Sequence, residues 1–377
     1  MVENKRLLFL DFCRSVAIIM MLQGHFISNT LDVYPSLIRR IHIHDNSVPF
    51  WFNFWATFRG FTAPLFFIIT GTVFTYLLHK ELKLNKESYW KMTRVKKGFK
   101  RVAVLLITGY ILQLNLKYLE YYFEGNFNQH FLGFHILQCI GLSILLILIL
   151  TPFLRITKKF IWLGYIVLSI LFFVLASLFR KETGVFPNGI NVIFQNIIQG
   201  PDTVFSILPW TGFVFFGAAF GHYLSEYGEG KNNKNVYIFL LSCGLFFHLI
   251  SVLIYWIYPD YNDQKHVLFL WVYERIFKIS LLILFLTFLS KFKFLQSKYL
   301  LGIGKETFIV YVLHAILLYG AVTGIGLRSL WEQKLSYIES IAGSIVFVCL
   351  FILIAQFIPR IRQVIHKSIL GHGKPDA

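Results

Sequence analysis

The sequence predicts an all-α polytopic membrane protein with about ten transmembrane helices and both termini in the cytoplasm. Three observations carry that prediction. Of 377 residues, 56% are hydrophobic and 15% charged, where soluble chains carry about 25%. The apolar residues fall into runs close to the roughly 20 residues that cross a bilayer as a helix. The 41 Phe suit a lipid-facing surface better than a compact aqueous core. Gly (26) and Pro (10) are at ordinary levels, which excludes collagen-like and low-complexity chains.

The ten runs, in chain order, are 7–27, 54–78, 102–116, 132–153, 160–178, 204–224, 236–257, 268–289, 300–322 and 338–358. The third is short. Nothing between them is long enough for a soluble domain, and no internal repeat is visible. Residues 1–377 are therefore read as a single integral membrane domain with a basic cytoplasmic tail at 359–377. The first run contains Asp11 and Arg14 and has no small-residue cleavage site, so it is expected to stay as a helix. Net charge is +17, from 36 Lys and Arg against 19 Asp and Glu. In a soluble chain that excess would suggest nucleic acid. Here its distribution matters more: with the N-terminus inside, the cytoplasmic segments hold 23 Lys and Arg and the outer segments 8, as the positive-inside bias requires. Cys13, Cys139, Cys243 and Cys349 all sit in apolar runs without CxxC spacing and are read as buried thiols.

Five basic residues remain inside spans: Arg14, Arg59, Arg275, Lys278 and Lys305. A charge at membrane depth costs a few kcal/mol even on lenient scales, so it marks a polar cavity or a partner. Arg14 and His25 are eleven residues apart on the first helix. At about 100° per residue they share one face, with a rise of about 16 Å. That stripe could hold the two ends of a long thin ligand such as coenzyme A, with phosphates by Arg14 and the thioester by His25. The plainer alternative pairs Arg14 with Asp11 and leaves His25 as an interfacial histidine. Other runs bring polar residues to similar depths. An outer layer holds His25, Arg59, His135, Gln138, Glu274, Arg275 and His314. An inner layer holds Asp11, Arg14, Lys305 and the basic stretch Lys96, Lys97, Lys100 and Arg101. That stretch suits phosphates but is equally a positive-inside anchor. Glu274 and Arg275 are adjacent and point about 100° apart, so they can pair with different neighbours. Pro209, in Leu208-Pro209-Trp210, is expected to kink the sixth span. His42 and His44 form an HxH pair beside Asp45, with no third metal ligand in view. The chain has no Walker loop, no GxGxxG and no GxSxG elbow.

Leu10-Asp11 followed by Arg14 and His25 resembles the signature of the transmembrane acyltransferase superfamily. That superfamily includes the acyltransferase-three type O-acyltransferases and the heparan-alpha-glucosaminide N-acetyltransferase-like proteins. Four further segments resemble motifs of the latter group, or of both, in order: Arg59 with Ala63-Pro64-Leu65-Phe66-Phe67 and Thr70-Gly71; Ile136 to Leu142; Leu208-Pro209-Trp210-Thr211-Gly212-Phe213 with Gly217 and Gly221; and Leu301-Gly302 through Tyr311 to His314. Ser15 stands where glycine or alanine is common, a departure expected to loosen packing. The resemblance implies an acyl-CoA-dependent acyltransferase without a metal, using acetyl-CoA as the expected donor and an extracytoplasmic sugar as acceptor.

The implied catalytic set is His25, Arg59, Glu274, Arg275 and His314, and the donor-binding set is Asp11, Arg14, Lys96, Lys97, Arg101 and Lys305. His25 would serve as general base or carry the acyl group itself, and His42 or His44 is an alternative for that role. Arg59, Arg275 or a backbone donor would stabilise the oxyanion. The expected location is a bacterial cytoplasmic membrane, the partners are the bilayer and a carbohydrate of the cell envelope, and a homodimer stays open. The competing classes are a proton- or ion-coupled small-solute transporter and an inactive scaffold.

Overall fold

The computed structural model describes residues 8–42, 45, 47–84, 87–124, 133–155, 160–179, 192–200, 203–228, 234–257 and 264–371. Among them the chain is helical, with no strand beyond an isolated bridge between Leu31 and Leu335. Seven helices are long and apolar enough to cross a membrane: Leu8–Thr30, Phe50–Leu84, Ile136–Leu154, Ile161–Leu178, Ile207–Tyr227, Lys234–Ile257 and Tyr337–Val364. An eighth is reached if Lys298–Lys305 and Thr307–Tyr319, bent by 80°, form one broken span. The protein is therefore a helical, multi-pass membrane protein.

The difference from ten lies in three places. The run at 300–322 is not continuous, because Glu306 leaves helical geometry (φ −103°, ψ 24°) and its carboxylate holds Arg362 at 2.8 Å. The runs at 102–116 and 268–289 are helices, Thr93–Gln113 and Gln264–Leu289. The first opens with Arg94, Lys96, Lys97, Lys100 and Arg101, and the second carries Glu274, Arg275 and Lys278, more charge than a lone apolar span tolerates.

The chain divides into two compact units, Met1–Thr62 with Leu286–Ala377, and Ala63–Phe285. In the first, the Leu8–Thr30 helix packs on Lys298–Lys305 and on the final helix, Tyr337–Gly371. A Cβ at Gly304 would collide with Ser15 Oγ and the Asp11 carbonyl, so the two backbones touch. Ser15 itself is buried and donates to the Asp11 carbonyl at 2.9 Å. The first helix ends by handing its orphan carbonyls to a returning segment: Gln333 N–H donates to Asn29 O (3.0 Å) and Leu335 N–H to Thr30 O (2.9 Å). The final helix starts after Ser336, whose N–H and hydroxyl both donate to the Glu339 carboxylate (2.9 and 2.8 Å), the N–H bond being one half of a capping box.

In the second unit, helices Thr62–Leu84 and Ile207–Tyr227 meet through glycine. A Cβ at Gly217 would strike the Ile68 carbonyl and one at Gly221 the Thr72 carbonyl, the close approach that small-xxx-small spacing permits in membranes. Pro209 stands at the start of Ile207–Tyr227, beside the non-helical Leu208. The expected kink lies there, next to Pro209 at the start of the span, a position that suits a residue lacking an N–H. Of the four thiols, Cys13 and Cys139 are buried, Cys243 is half-buried and Cys349 is exposed. Cys349 corrects the reading of four buried thiols: its stretch of the final helix faces outward.

Candidate functional site

The first unit gathers three of the predicted site residues at one end of the Leu8–Thr30 helix. His25, half-buried there, stacks on His314 with ring centroids 5.5 Å apart and 20° between planes. Its Nδ1 lies 2.7 Å from the Tyr319 hydroxyl. Asn29, one turn on, donates Nδ2–H to the His25 carbonyl (2.7 Å) and to Tyr319 Oη (3.3 Å). His314 is buried, and its Nδ1 lies 2.5 Å from the Tyr311 carbonyl. A carbonyl only accepts, so Nδ1 of His314 carries the proton. Tyr319 is the last residue of its helix and is followed by Gly320 in the left-handed region (φ 69°), where a side chain would be strained.

Arg59 ends the helix Phe50–Arg59. Its guanidinium donates to the Tyr34 hydroxyl and stands 5.4 Å and 5.7 Å from the Tyr34 and Trp55 rings. It lies against Gly24, where a Cβ would come within 3.0 Å of Nε. Glycine beside His25 thus lets a cation settle onto the helix backbone. No carboxylate pairs with Arg59 among the described residues. Trp55 also donates Nε1–H to Gln23 (2.8 Å), which fixes the short helix to the first.

Three turns earlier, Arg14 pairs with the buried Asp11 at 3.3 Å. The plainer expectation for that pair is therefore met. Lys305 is exposed at the end of the helix packed on Asp11 and Ser15. One continuous helix thus carries a charge pair toward one end and, at the other, a histidine near a cation that has no carboxylate partner among the described residues.

The remaining candidates belong to the second unit. Glu274 accepts from His248 (2.9 Å) and holds Lys278 at 3.2 Å, while Arg275 lies 4.9 Å over Trp271. The two adjacent residues do face different neighbours. His135 occupies the N-cap position of Ile136–Leu154, and Gln138 donates to Gln113 at 2.6 Å. Lys96, Lys97, Lys100 and Arg101 are exposed on Thr93–Gln113. The His42 side chain and His44 lie outside the described residues. Asp45 accepts from the Ser47 hydroxyl and N–H and from Arg40 (3.0 Å). These bonds, those from Ser47 first, lower its pKa to about 2. Among the described residues no three His, Cys, Asp or Glu side chains are grouped as metal ligands would be.

Sequence reasoning missed Tyr319, Asn29 and Tyr34. Helical spacing held a signal for two of them. Asn29 is four residues after His25, and Tyr319 is eight after Tyr311, so each shares its neighbour's face. Nothing in the sequence marks Tyr34 as the partner of Arg59.

A family model described as heparan-alpha-glucosaminide N-acetyltransferase, catalytic, matches residues 6–259. Asp11, Arg14, His25 and Arg59 fall within the match, and Glu274, Arg275, Lys305 and His314 lie beyond it. No curated protein matches the chain.

Proposed function

The chain belongs to the heparan-alpha-glucosaminide N-acetyltransferase family, and from that premise we propose that it moves an acetyl group from cytoplasmic acetyl-CoA to a hydroxyl or amine of an extracytoplasmic sugar. Membership makes it a membrane-bound acetyltransferase. The donor, the sidedness and the acceptor are our reading, as are ten spans with both ends inside and one integral domain over 1–377. The observation that carries the reading is the His25 constellation. With its proton on Nδ1 and donated to Tyr319, His25 has its Nε2 lone pair for an acceptor proton. Tyr319 Oη, which accepts from Asn29, has a second lone pair to accept the Nδ1–H of that tautomer.

In the reaction the acceptor oxygen or nitrogen attacks the thioester carbonyl as His25 Nε2 removes its proton. Arg59, beside Gly24, stabilises the tetrahedral oxyanion. Collapse breaks the carbon–sulfur bond, and the thiolate leaves with the proton from His25. His314 backs the His25 ring and keeps its orientation. Arg14, with Asp11, and Lys305 receive the donor's phosphates, about 16 Å away along the helix. The second unit's Lys96, Lys97, Lys100 and Arg101 are further phosphate-binding candidates. Glu274 and Arg275, engaged with His248, Lys278 and Trp271, are assigned no step.

The test is release of free coenzyme A thiol and transfer of labelled acetyl groups to a panel of amino sugars by reconstituted protein. Parent activity that is lost in His25→Ala supports the reading. Folded parent protein that neither binds nor turns over acetyl-CoA rejects it in favour of a transporter or scaffold.

A further inference from the structure

Around the first helix from His25 lies a groove of about 440 Å³, within the size range of small-molecule sites. Its walls include Ile19 and Ile27 of the first helix, Trp51 and Phe52 of Phe50–Arg59, and Ile345 and Val348 of the last. The groove follows the first helix from Ile19 to Leu31, about 18 Å, close to the roughly 15 Å depth of one leaflet's hydrocarbon.

Its Gln and Ser side chains are already engaged. Gln23 accepts from Trp55 and donates to the Met20 carbonyl (3.2 Å). Ser340 shares a hydrogen bond with Thr30 (2.9 Å), and Ser344 donates to the Ile341 carbonyl (2.7 Å). Beyond the Trp51 indole N–H and the Tyr337 hydroxyl, the walls offer a polar ligand little to bond. Trp51, Trp55 and Tyr337 line the groove and supply the amphipathic rings typical of a membrane interface. Beside Trp55 stands Arg59, a cation without a carboxylate partner, its Cζ 5.7 Å from the indole. Arg59 also rests on Gly24, next to His25. Chain slot, cation and histidine thus follow one another around one level of the helix.

Resting on the acetyltransferase reading above, we infer that the acceptor sugar is presented on a lipid: a single apolar chain lies in this groove, its phosphate meets Arg59, and the sugar it carries reaches His25. The charge of Arg59 selects an anionic headgroup, and the predominantly apolar walls select an alkyl or isoprenoid chain over a glycan.

The test uses protein in phosphatidylcholine nanodiscs with two acceptors, glucosamine linked through phosphate to a dodecyl chain or to a butyl chain. The dodecyl acceptor should show a KM at least tenfold lower. In Ser344→Phe, or in Ile345→Trp if that variant does not fold, the ratio should fall towards unity. Equal KM values in the parent overturn the inference. A second arm needs no turnover. Dodecyl phosphate with a terminal diazirine should label 337–349 or 19–31, at least fivefold less in Arg59→Gln, while the matching dodecanol probe is insensitive to that change. Labelling elsewhere, or equal labelling by both probes, overturns the groove assignment. Absence of transfer to either acceptor, with the labelling as expected, rejects the acetyltransferase reading and retains the groove as an anionic-lipid site.

Discussion

The two units of this chain handle polar atoms at membrane depth in opposite ways. In Ala63–Phe285, helices meet backbone to backbone at Gly217 and Gly221. Many of its polar side chains pair with each other: Ser143 with Thr211 (2.9 Å), Thr151 with Tyr165 (2.7 Å) and Gln138 with Gln113 (2.6 Å). In the other unit one such backbone contact occurs, at Gly304, but around His25 side chains hold the helix ends together, and the arrangement spares chemistry. His25 keeps one nitrogen without a protein partner among the described residues, and Arg59 is satisfied by a phenol and two rings instead of a carboxylate. Tight packing leaves no room for change, whereas side-chain tethering lets reactive groups stay half-open.

The largest effect should come from breaking the packed unit. Gly217→Val drives a side chain into the Ile68 carbonyl and should cost more than about 4 kcal/mol. Little monodisperse protein should then survive size-exclusion chromatography after detergent extraction. Normal yield and melting temperature would show that the helices can separate freely. The tethered unit should instead lose activity while remaining folded. His25→Gln should lower transfer at least about a hundredfold with an unchanged melting temperature. Tyr319→Phe removes the partner of His25 Nδ1. A hydrogen bond of about 1–1.5 kcal/mol corresponds to roughly tenfold in kcat, with KM for acetyl-CoA little changed. A drop as large as that of His25→Gln would make Tyr319 a direct participant.

Smaller effects probe the scaffold. Ser340→Ala leaves the buried Thr30 hydroxyl with only its bond to Phe26 O and should lower stability by about 1 kcal/mol, read as a lower melting temperature. The smallest concerns the loop held by Asp45. Its pKa is depressed from 3.8 to about 2. The loop is therefore held fully above pH 3.8 and released as pH falls through about 2. Amide exchange of Ser47 should accelerate over that window after correction for intrinsic rates. Protection that persists below it would mean that the backbone, not the carboxylate, holds the turn.

Most of the helical architecture was legible because apolar run length is a one-dimensional property. Six expected spans coincide with helices that pass as spans within the described residues, and the run at 54–78 falls inside Phe50–Leu84. The break at Glu306 was hidden inside the apolar run at 300–322, and its ion-pair partner Arg362 stands 56 residues away. The pairing of His25 with His314 was half legible: each was singled out on its own helix, but their stacking depends on how the bent pair folds back. The Arg14 and Asp11 pair was visible as an i, i+3 spacing. The Arg59 cradle was not, since it needs Gly24, Tyr34 and Trp55 to converge from three helices.

The central claim is that this constellation transfers acetyl groups, and release of coenzyme A thiol from acetyl-CoA by reconstituted protein tests it most directly. The account predicts saturable release coupled to acetylation of an amino-sugar acceptor, abolished in His25→Ala and reduced about tenfold in Tyr319→Phe. Undiminished release in folded His25→Ala protein would contradict it.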